Sequence, residues 1–231
     1  MERSLRDYGT APRYSLVEAS WLTGTPRATL RTWFLGWKGA EGRSPQAPVI
    51  RADGTGDSLT LSFFNIVEAR FLACYRRVGV PMQRVRPALQ YAQQRMKIPR
   101  PLLTQRFEAD GRNLFIEWIE QKDGERRLLN LSEAGQYAWP EVVTEHFREI
   151  EFEDDQPARL FLVPSRRLLV APQVGFGLPV IASRGIRTEV LYERFERGET
   201  VDQIVDDFGL ENRADVEEAI RWEANVARLA A

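Results

Sequence analysis

The clearest alternation of apolar and polar positions lies in residues 14–37, YSLVEASWLTGTPRATLRTWFLGW. Val17, Ala19 and Leu22 supply the apolar positions of a first helix. Ser15 and Glu18, three residues apart, form a capping box at its start. Gly24 can take the left-handed conformation of a tight turn. Thr25 is placed to cap a second helix, and Pro26 fits a first turn that needs no amide donor. Leu30, Trp33 and Phe34 then recur at three and four residues as an inward stripe. Thr25, Arg27, Thr29 and Arg31 gather at the start of that helix, mostly off the stripe. Arginine and threonine there suit base reading in a major groove.

Further along, Phe64, Val67, Phe71, Cys74 and Val78 mark an amphipathic helix over Phe63–Val78, with Cys74 on its apolar stripe as a small core residue. Gly79 ends it and Pro81 opens the next segment, where Leu89, Ala92 and Met96 form a short stripe. Pro87 is expected to restart or kink that segment. Pro48–Arg51 and Ser58–Ser62 read as two short strands, with RADGTGD holding the turn residues of a hairpin between them. Arg51 on that hairpin is a candidate contact to a DNA backbone. Residues 1–13 read as a mobile arm.

From Pro101 the period shifts towards two. Strands are expected at 107–112, 113–120 and 126–131, followed by a helix near 138–147. Ala158–Val163 and Leu168–Val170 read as further strands, and the acidic run Glu151, Glu153, Asp154 and Asp155 as a solvated linker. Thr188–Glu196 is a helix ended by Gly198. Thr200 and Gln203 form a second capping box before Val201, Ile204, Val205 and Phe208. Asn212 caps a final helix bearing Val216, Ala219 and Ile220. The expected fold class is α+β. It has a helix-turn-helix unit over 1–100, a small antiparallel sheet within 101–177, and a helical unit over 178–231.

Charge divides the chain more sharply than composition does. The 231 residues are 43% hydrophobic and 28% charged with a net charge of -1, an ordinary globular balance. Residues 1–100 hold 16 Lys and Arg against 7 Asp and Glu, a net +9, and the remainder hold 16 against 26, a net -10. The basic part suits a polyanion, with binding that weakens in salt. The span Thr188–Trp222 carries 11 acids and 4 arginines, so a recognition helix there would be repelled by phosphates despite its helix-turn-helix spacing. The one cysteine excludes an internal disulfide. His146 is the only histidine, and no phosphate loop or nucleophile motif occurs, so neither catalysis, a metal nor a cofactor is expected. No apolar run is long enough for a bilayer, which makes the cytoplasm the expected location.

Two stretches carry a family resemblance. Tyr14-Ser15, the Gly24-Thr25-Pro26 turn, Thr29-Leu30-Arg31 with Trp33, and the later SFFNIVEARFLACYRRVGVPMQRVRPAL resemble the MerR-type winged helix-turn-helix. In that family the 48–62 hairpin would be the wing. A long dimerising helix usually follows, whereas this chain reaches Pro99 and Pro101. Pro179-Val180-Ile181, Gly185-Ile186-Arg187, Arg197-Gly198-Glu199-Thr200-Val201 and Ile204-Val205-Asp206-Asp207-Phe208 resemble a small helical domain that recurs at the C-terminus of VapB-type antitoxins. The order of these parts resembles the VapB-type antitoxins of PIN-domain ribonuclease toxins. The resemblance implies a homodimer that binds operator DNA through the basic part and holds a toxin inactive through the distal part. PIN ribonucleases use clustered carboxylates and a divalent metal, so an inserted arginine would disturb them. Arg184 and Arg187 are the candidates, the alternative being pairing with local acids. The competing reading is a ligand-sensing MerR-type regulator whose pocket is lined by Phe115, Trp118, Tyr137 and Trp139.

Overall fold

The computed structural model describes residues 4–39, 44–54, 59–77, 82–95, 97–103 and 148–230. Five helices come first: α1 (Leu5–Thr10), α2 (Leu16–Thr23), α3 (Arg27–Leu35), α4 (Phe63–Arg77) and α5 (Met82–Arg95). A four-stranded sheet follows, β1 (Ile150–Glu153), β2 (Gln156–Phe161), β3 (Leu168–Val170) and β4 (Val180–Ile181). Its strands lie in chain order, each antiparallel to the next. Three helices close the chain: α6 (Thr188–Glu196), α7 (Val201–Phe208) and α8 (Arg213–Ala230). The fold class is the expected α+β.

The local grammar of the helix-turn-helix is in place. The Ser15 hydroxyl accepts from the Glu18 amide while the Glu18 carboxylate accepts from the Ser15 amide. Gly24 ends α2 at φ 62°. The Thr200–Gln203 box and Gly209 at φ 59° bracket α7 in the same way.

Several expectations are corrected. The supposed mobile arm contains α1, begun by a Ser4–Asp7 capping box, with Gly9 seated directly on the Phe64 ring. Among the described residues, 48–51 and 59–62 form no paired strands. Leu61 bridges Tyr14 instead, and the Val49 and Ile50 amides donate to the Trp33 carbonyl. The buried Asn65 holds this loop: its Oδ1 accepts from the Asp53 and Ser62 amides, and its Nδ2 donates to the Arg51 carbonyl and to Glu68. Such a side chain competes with a strand ladder for the same backbone groups. Pro87 neither restarts nor divides its helix, since α5 runs through it. The acidic run is no linker: Glu151 and Glu153 lie in β1, and Asp154 and Asp155, at φ 50° and 58°, make the two-residue turn into β2. The strands expected at 107–131, the helix near 138–147, and Phe115, Trp118, Tyr137, Trp139 and His146 lie outside the described residues.

One apolar cluster runs through every layer, from Tyr14, Leu30 and Trp33 through Phe71 and Leu160 to Ile181, Leu191 and Val216. Polar staples cross it. Tyr14 Oη donates to the Gly177 carbonyl at 2.6 Å, and burial pushes its hydroxyl well above the usual phenol range. Arg70 of α4 donates to the Leu22 carbonyl and pairs with Glu149 at 2.7 Å. Asp215 of α8 accepts from Arg167 at 2.6 Å and from Ser183 at 2.7 Å, tying the last helix to the sheet. The helix-turn-helix is therefore set in a frame supplied by the distal half.

Candidate nucleic-acid interface

Helix α3 starts from a turn whose polar groups are spent internally. Pro26 occupies its cap position and no side chain caps it, so Thr25 is not the cap. Thr25 is buried: its hydroxyl leans on the Thr23 carbonyl, its amide donates to Ser20 and its carbonyl accepts from the Ser20 hydroxyl. Its role is to fix the turn, and its side chain does not face solvent.

Leu30, Trp33 and Phe34 are buried against the core, which turns Arg27 and Arg31 outwards. Both are exposed. They stand four residues apart, one turn along the same face. Among the described residues no hydrogen bond or ion pair engages either side chain. Unengaged guanidiniums keep all five donors for an external acceptor such as phosphate or guanine. Thr29, between them and half-buried, accepts from Arg76 Nη1 at 3.0 Å. Arg76 and Arg77 are exposed at the C-terminal end of α4. The fold thus brings a distant helix end beside α3 and sets Arg76, which sequence reading had not singled out, next to Thr29. The one available signal was a doubled arginine in the last turn of an amphipathic helix, a common feature with many other uses.

Arg51 is exposed but stands elsewhere, lining a cavity with Arg6, Asp53, Phe64 and Arg100. An ion cluster forms part of its wall. Arg100 grips Glu68 through two bonds, Nη2–Oε2 at 2.6 Å and Nε–Oε1 at 3.1 Å, and reaches Asp53 at 2.8 Å. Burial pushes the Glu68 carboxyl up, and Arg100 and Asn65 only partly offset it. Burial also opposes the Arg100 charge, but Glu68 and Asp53 outweigh it and hold the guanidinium above its usual range. Among the described residues no hydrogen bond or ion pair joins this cluster to α3; it braces the loop carrying Arg51.

The two distal arginines part company. Arg184 is exposed and donates to the Gly209 carbonyl at 3.1 Å, satisfying the C-terminal end of α7. Arg187 occupies the position before the first turn of α6 without capping it, and its Nη1 lies 3.5 Å from Glu189. It also lines a groove between α2 and α8, with Glu18, Trp21, Trp222 and Glu223. In α6–α8 the other bonded cations are tied up: Arg194 by Glu199 and Asp207, Arg197 by Glu193, and Arg213 by Asp202 and Glu217.

Comparison with known proteins matches residues 12–89 to a family described as "Putative DNA-binding HTH domain" and residues 170–222 to "Protein of unknown function (DUF433)". The chain is 33% identical to "Putative antitoxin VapB45" of Mycobacterium tuberculosis, over 86% of this chain and 89% of that protein. It is also similar to the X-ray crystal structure of Rv2018 from Mycobacterium tuberculosis. The TM-score is 0.71 at 27% identity, covering 91% of this chain and 98% of that one. Among the described residues, no helix is long and apolar enough to cross a membrane.

Proposed function

The chain belongs to the family of "Putative antitoxin VapB45", and from that premise we propose that it is a DNA-binding antitoxin that represses its own operon and neutralises a PIN-domain ribonuclease. The unengaged Arg27 and Arg31 at the start of α3 are the observation that carries the DNA half. A protein that builds ion pairs as freely as this one does has left these two cations open beside Arg76, in a part of the chain with net charge +9. In this reading 1–100 is a MerR-like DNA-binding domain working as one half of a homodimer. Residues 101–177 are a small α+β domain, and 178–231 are the antitoxin-like helical domain. Two half-sites about one helical turn apart would be read by the two copies. Arg27, Thr29 and Arg31 face the bases, with Arg51 as an outlying backbone contact and Thr25 fixing the turn. Arg187 faces the toxin. Arg184 is the weaker toxin candidate because its guanidinium already serves Gly209. The chain acts by binding, in the cytoplasm, and does no catalysis.

Mobility shifts with the DNA upstream of the protein's own reading frame, over a salt series, test the DNA half. Specific, salt-weakened binding lost with Arg27→Ala/Arg31→Ala is expected. Equal affinity for unrelated DNA, or no effect of the double substitution, overturns it. Co-expression with the neighbouring reading frame tests the other half. Growth rescued by the full chain is expected, and no rescue from a demonstrably toxic neighbour overturns the antitoxin reading.

A further inference from the structure

The turn between β3 and β4 holds an aromatic ring out in water. Gly175, Phe176 and Gly177 are consecutive residues in the left-handed region, at φ 56°, 58° and 77°. The two glycines tolerate this conformation, and neither has room for a side chain. A Cβ on Gly175 would strike Val180, and one on Gly177 would lie 2.7 Å from Tyr14 Oη. Phe176 is strained there, as a bulky L residue is. It gains nothing by burial either, being 86% exposed, the most exposed of the large apolar side chains described. Arg13 and Tyr14 hold the turn by the Phe176 and Gly177 carbonyls, and a turn braced in this way gives up little freedom on binding.

Beside this knob lies a hole. Trp21 of α2, Trp222 and Val226 of α8, and Leu178 and Pro179 wall an open groove of about 210 Å³. An apolar cavity of about 150 Å³ takes a benzene ring, so the groove has room for one phenyl group. Knob and groove share a face. Leu178 directly follows the turn, Tyr14 bonds the turn and lines the groove, and Arg187 runs beside Gly175 and lines the groove too. Their charges are complementary. Among the described residues, Glu18, Glu189 and Glu223 stand in the groove against Arg187, a net -2 when all are ionised. The turn 172–177 holds no acid. Arg13 beneath it bonds two carbonyls and pairs with no acid among the described residues, so its positive charge is not neutralised.

The geometry points to a second copy of this chain as the occupant of the groove: Phe176 of each copy enters the groove between α2 and α8 of the other. A two-fold dimer needs one self-complementary patch, on which residue i meets j and j meets i. A knob beside a hole of matching size and opposite charge is such a patch. This deepens the homodimer proposed above, whose MerR-like part lacks a long dimerising helix: α5 ends at Arg95, and Pro99 and Pro101 follow. The groove is built partly on α2, so the seated ring ties the partner copy to the helix-turn-helix itself. Two α3 helices are then held in one fixed relation, as reading two half-sites requires. Arg187 borders the groove with 40% of its side chain exposed, and the seated ring needs nothing from it.

The test uses the full-length chain in sedimentation equilibrium and light scattering, with circular dichroism as the check on folding. Phe176→Ala and Phe176→Gly remove the knob, the second while relieving the left-handed strain. Val226→Trp blocks the groove, which Val226 lines from outside the core cluster. Each substitution should weaken the dimer by about thirtyfold or more, the loss of a hot spot. Mixing Phe176→Ala with Val226→Trp should restore association, because the mixed pair keeps one ring-in-groove contact while neither variant alone keeps any. A wild-type dimer that persists in both variants, or a mixture that associates no better than its parts, overturns this surface and leaves the homodimer standing. A dimer intact in Phe176→Ala, with affinity for the product of the neighbouring reading frame lost, overturns the second copy as occupant. A wild-type monomer at every concentration, with and without operator, overturns the surface and the homodimer together and leaves the antitoxin reading to its own experiments.

Discussion

The pairs α2–α3 and α7–α8 are built to one plan and carry opposite electrostatics. Each first helix has eight residues and starts from a capping box, Ser15–Glu18 or Thr200–Gln203. Each ends at a left-handed glycine, Gly24 or Gly209. Each second helix opens on an arginine, Arg27 or Arg213. The difference lies one turn on. Four residues after Arg27 stands Arg31, another cation; four residues after Arg213 stands Glu217, which binds it at 2.7 Å while Asp202 of α7 takes its other side. In α3 the charge meets no acid among the described residues, and in α8 it is consumed within the hairpin. Helix-turn-helix geometry alone therefore says little about DNA; the presence of unengaged cations says more.

The largest effect should come from an N-terminal arginine that is spent as completely as Arg213 but in a less exposed setting. Arg100→Ala leaves the buried Glu68 carboxylate without its partner. We expect a loss of about 3 kcal/mol in denaturant unfolding, as for breaking a buried pair from one side. A variant that keeps wild-type stability would show that the cluster does not brace the fold. Next comes Arg31→Glu, which gives α3 the pairing pattern of α8. Arg31→Ala should cost ~1–3 kcal/mol of operator affinity by mobility shift, and Arg31→Glu more, because the new carboxylate also occupies Arg27. If the two variants bind alike, local neutralisation is not what separates the hairpins.

A smaller, more specific change is expected at Arg76, which touches Thr29 from α4. Arg76→Ala should reduce the slope of log affinity against log salt by about 1 while leaving discrimination between sequences intact. A change in discrimination instead would make Arg76 a positioning residue for Thr29. The smallest effect belongs to Arg213→Ala. Operator affinity should not move, and the melting temperature should shift only slightly, because the pair is solvent-exposed. Loss of operator binding in this variant would overturn the contrast between the two hairpins.

The neighbourhood of Arg27 and Arg31 was legible in the sequence because it is local. Capping boxes, left-handed glycines and the Leu30–Trp33–Phe34 stripe act over three or four residues, and they placed α2, α3, α6 and α7 and turned the two arginines outwards. The +9 and -10 halves were equally visible. The helix α1 was legible too, since Ser4 and Asp7 form the same box, although residues 1–13 read as a mobile arm. What the sequence left open depends on contacts made far along the chain. Thr25 has the residue type of a helix cap, yet the packing of the turn buries it. The stretches 48–51 and 59–62 have strand-like composition, yet Asn65 takes the Arg51 carbonyl and the Ser62 amide, and Trp33 and Tyr14 take the amides of Val49, Ile50 and Leu61. Arg76 reaches Thr29 across 47 positions, and Arg13 holds the Phe176 carbonyl across 163. Hydrogen bonds and ion pairs need atoms within a few ångströms. The sequence could therefore name the cations, but only the tertiary structure decided which found acids, which stayed open, and which aromatic was held out in water.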